Sequence, residues 1–114
     1  MKKVYYLKTC STCRGIIKEY SLKDSFELQD IKSQPLTTDQ LEHLKELSGS
    51  YASLFSKRSR EYQARNLKNK TLNESDFKHL ILEHYSFLKR PVIINGDKII
   101  IGRDTDQLSQ LTSI

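Results

Sequence analysis

The residues most able to do chemistry in this chain are its two cysteines, Cys10 and Cys13, in the segment TCSTCRG. Two cysteines are too few for the disulfide framework of a small secreted protein, and a structural zinc site normally needs four Cys or His ligands. The three histidines, His43, His79 and His84, are scattered, and we expect them in surface or packing roles. The CxxC spacing therefore favours thiol redox chemistry over metal binding or two inert buried thiols.

The elements around this pair predict an activated thiolate. Residues 3–7 read as a strand, and apolar residues recur at helical spacing over 16–20. Cys10 is therefore expected at a strand-to-helix turn, where unpaired backbone N–H groups and the positive end of the helix dipole stabilise an anion. We expect a depressed pKa for Cys10 and a disulfide-competent Cys13 on the same helical face, with Arg14 adding positive charge nearby.

The order of the remaining elements predicts how this turn is supported. Residues 25–31 read as a second strand, which a helix joins to the first, so the two strands are expected to be parallel neighbours. A helical stretch follows, with caps at Thr37 or Thr38 and at Asn73 or Ser75, and with a loop around 66–70. The proline after Arg90 leads a strand into an Asn95-Gly96 hairpin, and a short C-terminal helix with Leu108 and Leu111 ends the chain.

A CxxC at the first strand-to-helix turn of a β-α-β, helical, β-β-α order indicates a thioredoxin-like α/β fold. We expect a single domain over residues 1–114, with a helical insertion at about 36–85. A chain of 114 residues, 37% of them hydrophobic, is long and apolar enough for one modest core.

The basic charge of the chain is unevenly placed. There are 19 Lys+Arg and 14 Asp+Glu, and residues 57–70 hold six bases and one acid, so this segment accounts for the whole net charge of +5. It lacks interleaved aromatic residues beyond Tyr62 and matches no DNA-binding motif, so we do not expect direct nucleic-acid binding. Most of its bases are expected to form a solvated helical face that raises the local anion concentration.

The composition also bears on localisation. No apolar run approaches the ~20 residues of a membrane-spanning helix, and the N-terminal segment MKKVYYLKTC lacks the apolar stretch and cleavage site of a secretory leader. A reactive cysteine pair without a leader favours a reducing compartment. We therefore expect a cytoplasmic protein without a membrane partner.

Four short motifs, in this order and spacing, carry a family resemblance: CSTCR after the first strand, KRSREYQ in the middle, KRPVII before the hairpin and IIGRDTDQL after it. Together they resemble the arsenate reductase (ArsC)/Spx family over essentially the whole chain, from Val4 to Leu111. This family has a thioredoxin-like domain with a helical insertion, in agreement with the order of elements above.

The resemblance implies roles for particular residues. The glutaredoxin-linked arsenate reductases of the family use one cysteine at a helix N-terminus, matched here by Cys10, and three arginines that hold the oxyanion, matched by Arg58, Arg90 and Arg103. The resemblance also implies that the bond before Pro91 is cis and that this proline lies beside the active cysteine.

The implied activity is thiol-dependent reduction of an arsenate-like oxyanion. Arginine suits a tetrahedral oxyanion because its planar fork donates two parallel hydrogen bonds, and Arg14 and Arg60 are secondary candidates for such contacts. The implied reductants are glutathione with glutaredoxin, or thioredoxin. No bound cofactor is expected, because the sequence has neither a GxGxxG motif nor a P-loop.

Two features leave the function open between branches of the family. The glutaredoxin-linked enzymes typically have serine where this chain has Cys13, whereas the CxxC pair is typical of Spx, a redox-sensing regulator that binds RNA polymerase. Arg103 points the other way, because Spx-type proteins tend to carry an aromatic residue there. A regulator with a Cys10–Cys13 switch, and a family member acting on another substrate, therefore stand beside the arsenate reductase.

Overall fold

A computed structural model of the chain describes residues 1–102 and residue 108. The chain divides into two units, one formed by Met1–Gln34 together with Arg90–Ile114 and the other by Pro35–Lys89. The C-terminal helix that the sequence predicts lies outside the described residues except for Leu108, which is helical and buried. The expectation of a single domain stays a prediction.

The first unit is built on a four-stranded mixed sheet in the order β2-β1-β3-β4. Its strands are β1 Lys2–Tyr6, β2 Glu27–Asp30, β3 Val92–Asn95 and β4 Lys98–Ile101. β1 pairs with β2 in parallel and with β3 in antiparallel register, and β3 pairs with β4 in antiparallel register. The predicted α/β class and the predicted strand directions are confirmed.

One face of this sheet and helix α1, Ser11–Glu19, share a hydrophobic core. Successive side chains of a strand point to opposite faces, so Val4 and Tyr6 of β1 contribute to the same core while Tyr5 points away. The other buried members of the core are Ile16, Leu22, Phe26, Ile93, Ile100 and Leu108. This packing attaches α1, and the turn that precedes it, to the central strand.

The second strand is shorter than the predicted 25–31. A 3₁₀ helix over Leu22–Asp24 extends the connection after α1, and the N–H of Phe26 donates to the carbonyl of Leu22 over 2.9 Å. Phe26 still enters the core as expected, but from the turn and not from the strand. The hairpin is as predicted, with Gly96 at φ +66°, a left-handed conformation that favours glycine.

The second unit is helical. Its helices are α2 Thr38–Ser48, α3 Arg60–Ala64 and α4 Glu74–Glu83, with 3₁₀ helices over Ala52–Leu54, Leu67–Asn69 and Tyr85–Phe87. Of the alternative caps, Thr37 and Asn73 are the ones used, each in a capping box with the third residue of its helix. None of the helices in the described part of the chain is long and apolar enough to cross a bilayer.

Three expectations for this unit are wrong in detail. The predicted loop around 66–70 contains a 3₁₀ helix. The apolar spacing of Phe77, Leu80, Ile81 and His84 predicts a helix that includes His84, but α4 ends at Glu83 and His84 is its cap. The basic segment is not one helical face, because α3 covers only Arg60–Ala64. Arg65 is instead bound by Glu61 at 3.1 Å and by Glu83 at 2.6 Å.

Candidate active site

Cys10 lies at the N-cap position of α1, four residues after β1 ends at Tyr6. Its backbone is extended, its N–H donates to the carbonyl of Leu7 over 2.9 Å, and its carbonyl accepts from the N–H of Arg14 over 3.1 Å. The tight turn therefore holds Cys10 in place through the main chain on both sides. The half-buried side chain is free to face the unpaired N–H groups of the first helical turn.

These N–H groups lower the pKa of the Cys10 thiol. Burial by itself raises that pKa, but hydrogen bonds from the backbone N–H and the thiol of Cys13 and from the backbone N–H of Thr12 outweigh it, and the positive charge of Arg90 adds to them. The pKa of Cys10 therefore lies below the ordinary value for a cysteine. The thiolate, which is the nucleophilic form, is favoured at this position.

The second cysteine is the opposite case. Cys13 is fully buried on α1. Burial raises its pKa most, the hydrogen bond and negative charge of the Cys10 thiolate raise it further, and contacts with the Leu7 backbone and the charge of Arg90 oppose them; the result is a pKa of about 12. Cys13 is therefore a protonated thiol that donates its proton toward the Cys10 sulfur.

This asymmetry predicts selective alkylation. We expect iodoacetamide to modify Cys10 in the native protein, with a rate that rises with pH through a midpoint below that of Cys10 in the unfolded chain. Cys13 should stay unmodified over the same range, because it is buried and its pKa lies higher. Mass spectrometry of quenched time points measures both rates, and unfolded protein, in which both thiols react with ordinary midpoints, is the control. Equal labelling of both native cysteines would contradict the assignment.

The arginines implied by the resemblance do not all belong to the same unit of the structure. Arg90 belongs to the same unit as the cysteines, and its charge acts on both thiols. Arg58 and Arg60 are exposed residues of the second unit, so their approach to Cys10 stays a prediction. Arg103 lies outside the described residues. The Arg90–Pro91 bond is cis, as the resemblance implied, and Pro91 is buried.

Arg14 is less important for the thiol than its position in sequence suggested. It is exposed and contacts Cys10 through its backbone N–H, whereas the charge that acts on the sulfur is that of Arg90. The backbone donors of Thr12 and Cys13 carry no signal in their side chains. Only the expectation of a helix beginning at residue 11 could have identified them. No cluster of metal-ligating side chains is found among the described residues.

A model described as the ArsC family matches residues 5–111, which is most of the chain. The chain belongs to the ArsC family. It is 30% identical over 103 residues to the global transcriptional regulator Spx of Streptococcus pneumoniae, a match that covers 88% of this chain and 77% of that protein.

Arsenate reductases are also similar to this ArsC-family chain. The arsenate reductase of Haemophilus influenzae is 36% identical over 50 residues, which cover 44% of this chain and 43% of that enzyme. The structure of an arsenate reductase from Vibrio cholerae superposes with a TM-score of 0.79 at 16% identity, covering 96% of this chain and 98% of that one. At this identity the superposition shows the shared fold, and the thioredoxin-like ArsC architecture predicted from the sequence is confirmed.

Proposed function

We propose that this ArsC-family chain is a thiol-dependent oxidoreductase, and specifically an arsenate reductase of the glutaredoxin- and glutathione-linked kind. The observation that carries the proposal is the Cys10 thiol, which has a lowered pKa at a helix N-terminus and feels the charge of Arg90. A helix N-terminus beside an arginine suits an oxyanion as well as a thiolate, so nucleophile and substrate would be stabilised at one place.

The first chemical step is attack of the Cys10 thiolate on arsenic. A sulfur–arsenic bond forms, and a hydroxyl group leaves arsenic as water once it has taken up a proton. Arg58, Arg90 and Arg103 are proposed to hold the oxyanion, on the resemblance to the family. Their charge offsets the repulsion between two anions that must approach each other.

The second step makes the disulfide and releases arsenite. A second thiol attacks the Cys10 sulfur, its proton passes to the departing arsenic oxyanion, and the electron pair of the broken sulfur–arsenic bond reduces As(V) to As(III). Glutathione is the second thiol in the proposed cycle, and glutaredoxin, or thioredoxin for an internal disulfide, restores Cys10.

Cys13 is proposed as an alternative second thiol inside the chain. Two of the causes that raise its pKa are the hydrogen bond to Cys10 and the charge of the Cys10 thiolate. The negative charge on the Cys10 sulfur itself is lost once that sulfur is bonded to arsenic. In this proposal the first step therefore removes one of the causes that raise the pKa of Cys13 before its thiolate is needed.

The direct test is turnover of arsenate by the purified protein. We expect arsenite to form when arsenate is supplied with glutathione, glutaredoxin and glutathione reductase, or with thioredoxin and its reductase, with NADPH oxidation as the readout. Protein whose cysteines have been alkylated beforehand is the control for background reduction by free thiols. No arsenate-dependent NADPH oxidation with any of these donors would exclude arsenate as the substrate.

A redox-sensing regulator is the second candidate, and the similarity to Spx together with the paired thiols favours it. In that case oxidation to a Cys10–Cys13 disulfide would change the affinity for RNA polymerase instead of completing a catalytic cycle. The regulator hypothesis expects co-purification with polymerase that differs between reduced and oxidised protein. Absence of polymerase binding in both states, with active turnover of arsenate, would decide for the enzyme.

A further inference from the structure

The loop that carries Arg58 is tied at both ends to a single 3₁₀ helix of the same unit. At its start the N–H of Ser56 donates to the carbonyl of Phe87 over 2.7 Å, and at its end the hydroxyls of Ser59 and Ser86 are 2.6 Å apart. Within the loop, the N–H of Arg58 donates to Ser56 Oγ over 3.3 Å. The backbone of Arg58 is therefore held between two anchored serines.

The hydrogen bonds at the second anchor have a defined direction. His84 Nδ1 accepts the N–H of Ser86 over 3.1 Å, so this ring nitrogen is an acceptor, and Ser86 Oγ at 2.7 Å must donate to it. Ser86 Oγ is then left to accept the proton of Ser59 Oγ. Ser59 Oγ in turn accepts the N–H of Glu61 over 3.1 Å. Each hydroxyl thus donates once and accepts once.

Burial makes this chain of hydrogen bonds costly to break. Ser59 is only 5% exposed, so the hydrogen bonds that its hydroxyl makes lie largely away from water, where a lost hydrogen bond costs more free energy. Ser59 is also the N-cap of α3, which begins two residues after Arg58. The Arg58 side chain, by contrast, is exposed. The surroundings fix the base of this arginine and leave its guanidinium available to a ligand.

We propose that Ser59 and Ser86 are positioning residues for Arg58, and that they fix its backbone so that the guanidinium binds a tetrahedral oxyanion. This inference rests on the proposed function, because it takes Arg58 as an oxyanion ligand. Neither serine touches the oxyanion in this account. Their effect on binding passes entirely through Arg58.

The first test measures the order of the Arg58 backbone directly. We expect its amide NMR order parameter to be about 0.8 or higher in the native chain and to fall below about 0.6 in Ser59→Ala and Ser86→Ala. Ser59→Thr, which keeps a hydroxyl, should retain the native value. An order parameter that is unchanged in both alanine variants would overturn the proposal, whatever the protein binds.

The second test is a double-mutant cycle on arsenate affinity, measured by calorimetry in a Cys10→Ser background so that no chemistry follows. Ser59→Ala should weaken binding by about 3- to 10-fold, the effect of one net hydrogen bond, and Ser59→Thr should rescue it. In the presence of Arg58→Ala the further change Ser59→Ala should have no effect, because the serine acts through the arginine.

The outcomes separate this inference from the proposed function. Additive losses from Ser59→Ala and Arg58→Ala would show that the serine acts elsewhere and would overturn the positioning role. If the native chain reduces arsenate but Arg58→Ala leaves affinity unchanged, the proposed function stands and this inference fails. If the Cys10→Ser chain binds no arsenate and the native chain does not turn it over, the proposed function fails, and the oxyanion part of this inference fails with it.

Discussion

Replacement of Cys10 by serine is expected to abolish thiol-dependent reduction of arsenate, lowering kcat/KM by about 10³-fold or more. The serine hydroxyl has no accessible anion at neutral pH, so the hydrogen bonds from Thr12 and Cys13 and the charge of Arg90 have no thiolate to stabilise. The substitution changes one atom at a half-buried position, so the fold should be retained. Turnover by the coupled NADPH assay and the thermal midpoint together measure the two effects.

Cys13→Ser is the matched control, because it removes the buried thiol of the same pair. This variant should still reduce arsenate with glutathione and glutaredoxin, since an external thiol can reach the Cys10 sulfur. It should lose the single turnover that the pre-reduced native chain carries out without any added thiol. Activity that survives Cys10→Ser but not Cys13→Ser would reverse the assigned roles.

Replacement of Arg90 by alanine is expected to have the next largest effect. Its charge lowers the pKa of Cys10, so the pKa should rise toward the ordinary value, and less thiolate should be present at neutral pH. Loss of a charge-assisted hydrogen bond to the oxyanion should add to this. Together we expect kcat/KM to fall by about 10- to 100-fold. The pH dependence of alkylation measures the first effect, and arsenate affinity measures the second.

Two further substitutions separate these contributions. Arg90→Lys keeps the charge but not the planar fork, so the Cys10 pKa should stay low while arsenate binds more weakly. Arg14→Ala removes an exposed arginine whose backbone N–H, kept in the variant, makes the hydrogen bond to Cys10, so it should leave the midpoint of alkylation unchanged. A shift on Arg14→Ala as large as that on Arg90→Ala would show that the thiol responds to net charge and not to Arg90.

The difference between the two cysteines matters for either candidate function. A low-pKa, half-buried Cys10 is the only thiol of the pair that an external oxidant or substrate reaches readily. In the proposed order of events, the buried Cys13 reacts only after the Cys10 sulfur has been modified, which removes the Cys10 thiolate charge that raises its pKa. An enzyme would use this order of events to release arsenite, and a regulator would use it to make the disulfide that signals oxidation.

The sequence was sufficient to predict those features that depend only on interactions between residues close together in the chain. The caps at Thr37 and Asn73, the turn at Gly96 and the helix after Cys10 each depend on residues within a few positions of one another, and all of them are found. The shortened β2 and the 3₁₀ helix over Leu67–Asn69 were missed, because apolar periodicity over so few residues does not distinguish a strand end from a tight turn.

At the candidate site, too, the sequence predicted some features and only the folded structure revealed others. The CxxC spacing and its place after a strand were enough to predict an activated Cys10 from the sequence. Spacing alone indicated Arg14 as the nearby charge, whereas the charge that acts on the sulfur is that of Arg90, which only the family resemblance had connected with Cys10. The hydrogen bond between Ser59 and Ser86 could not be predicted either. The two serines are 27 positions apart, and no sequence pattern connects them.

The sequence by itself determined the CxxC pair, the order of strands and helices and the family motifs, because these depend on residue type and short spacing. Only the tertiary structure decided that Cys13 is a buried thiol with a raised pKa and that the charge of Arg90 acts on both sulfurs, since burial and through-space charge depend on the folded chain. The tertiary structure also gives the arginines of the basic segment different surroundings. Arg65 forms salt bridges with Glu61 and with the distant Glu83, and the loop that carries Arg58 is held by the hydrogen bond between Ser59 and Ser86. These outcomes require contacts between residues far apart in the chain, and folding alone creates them.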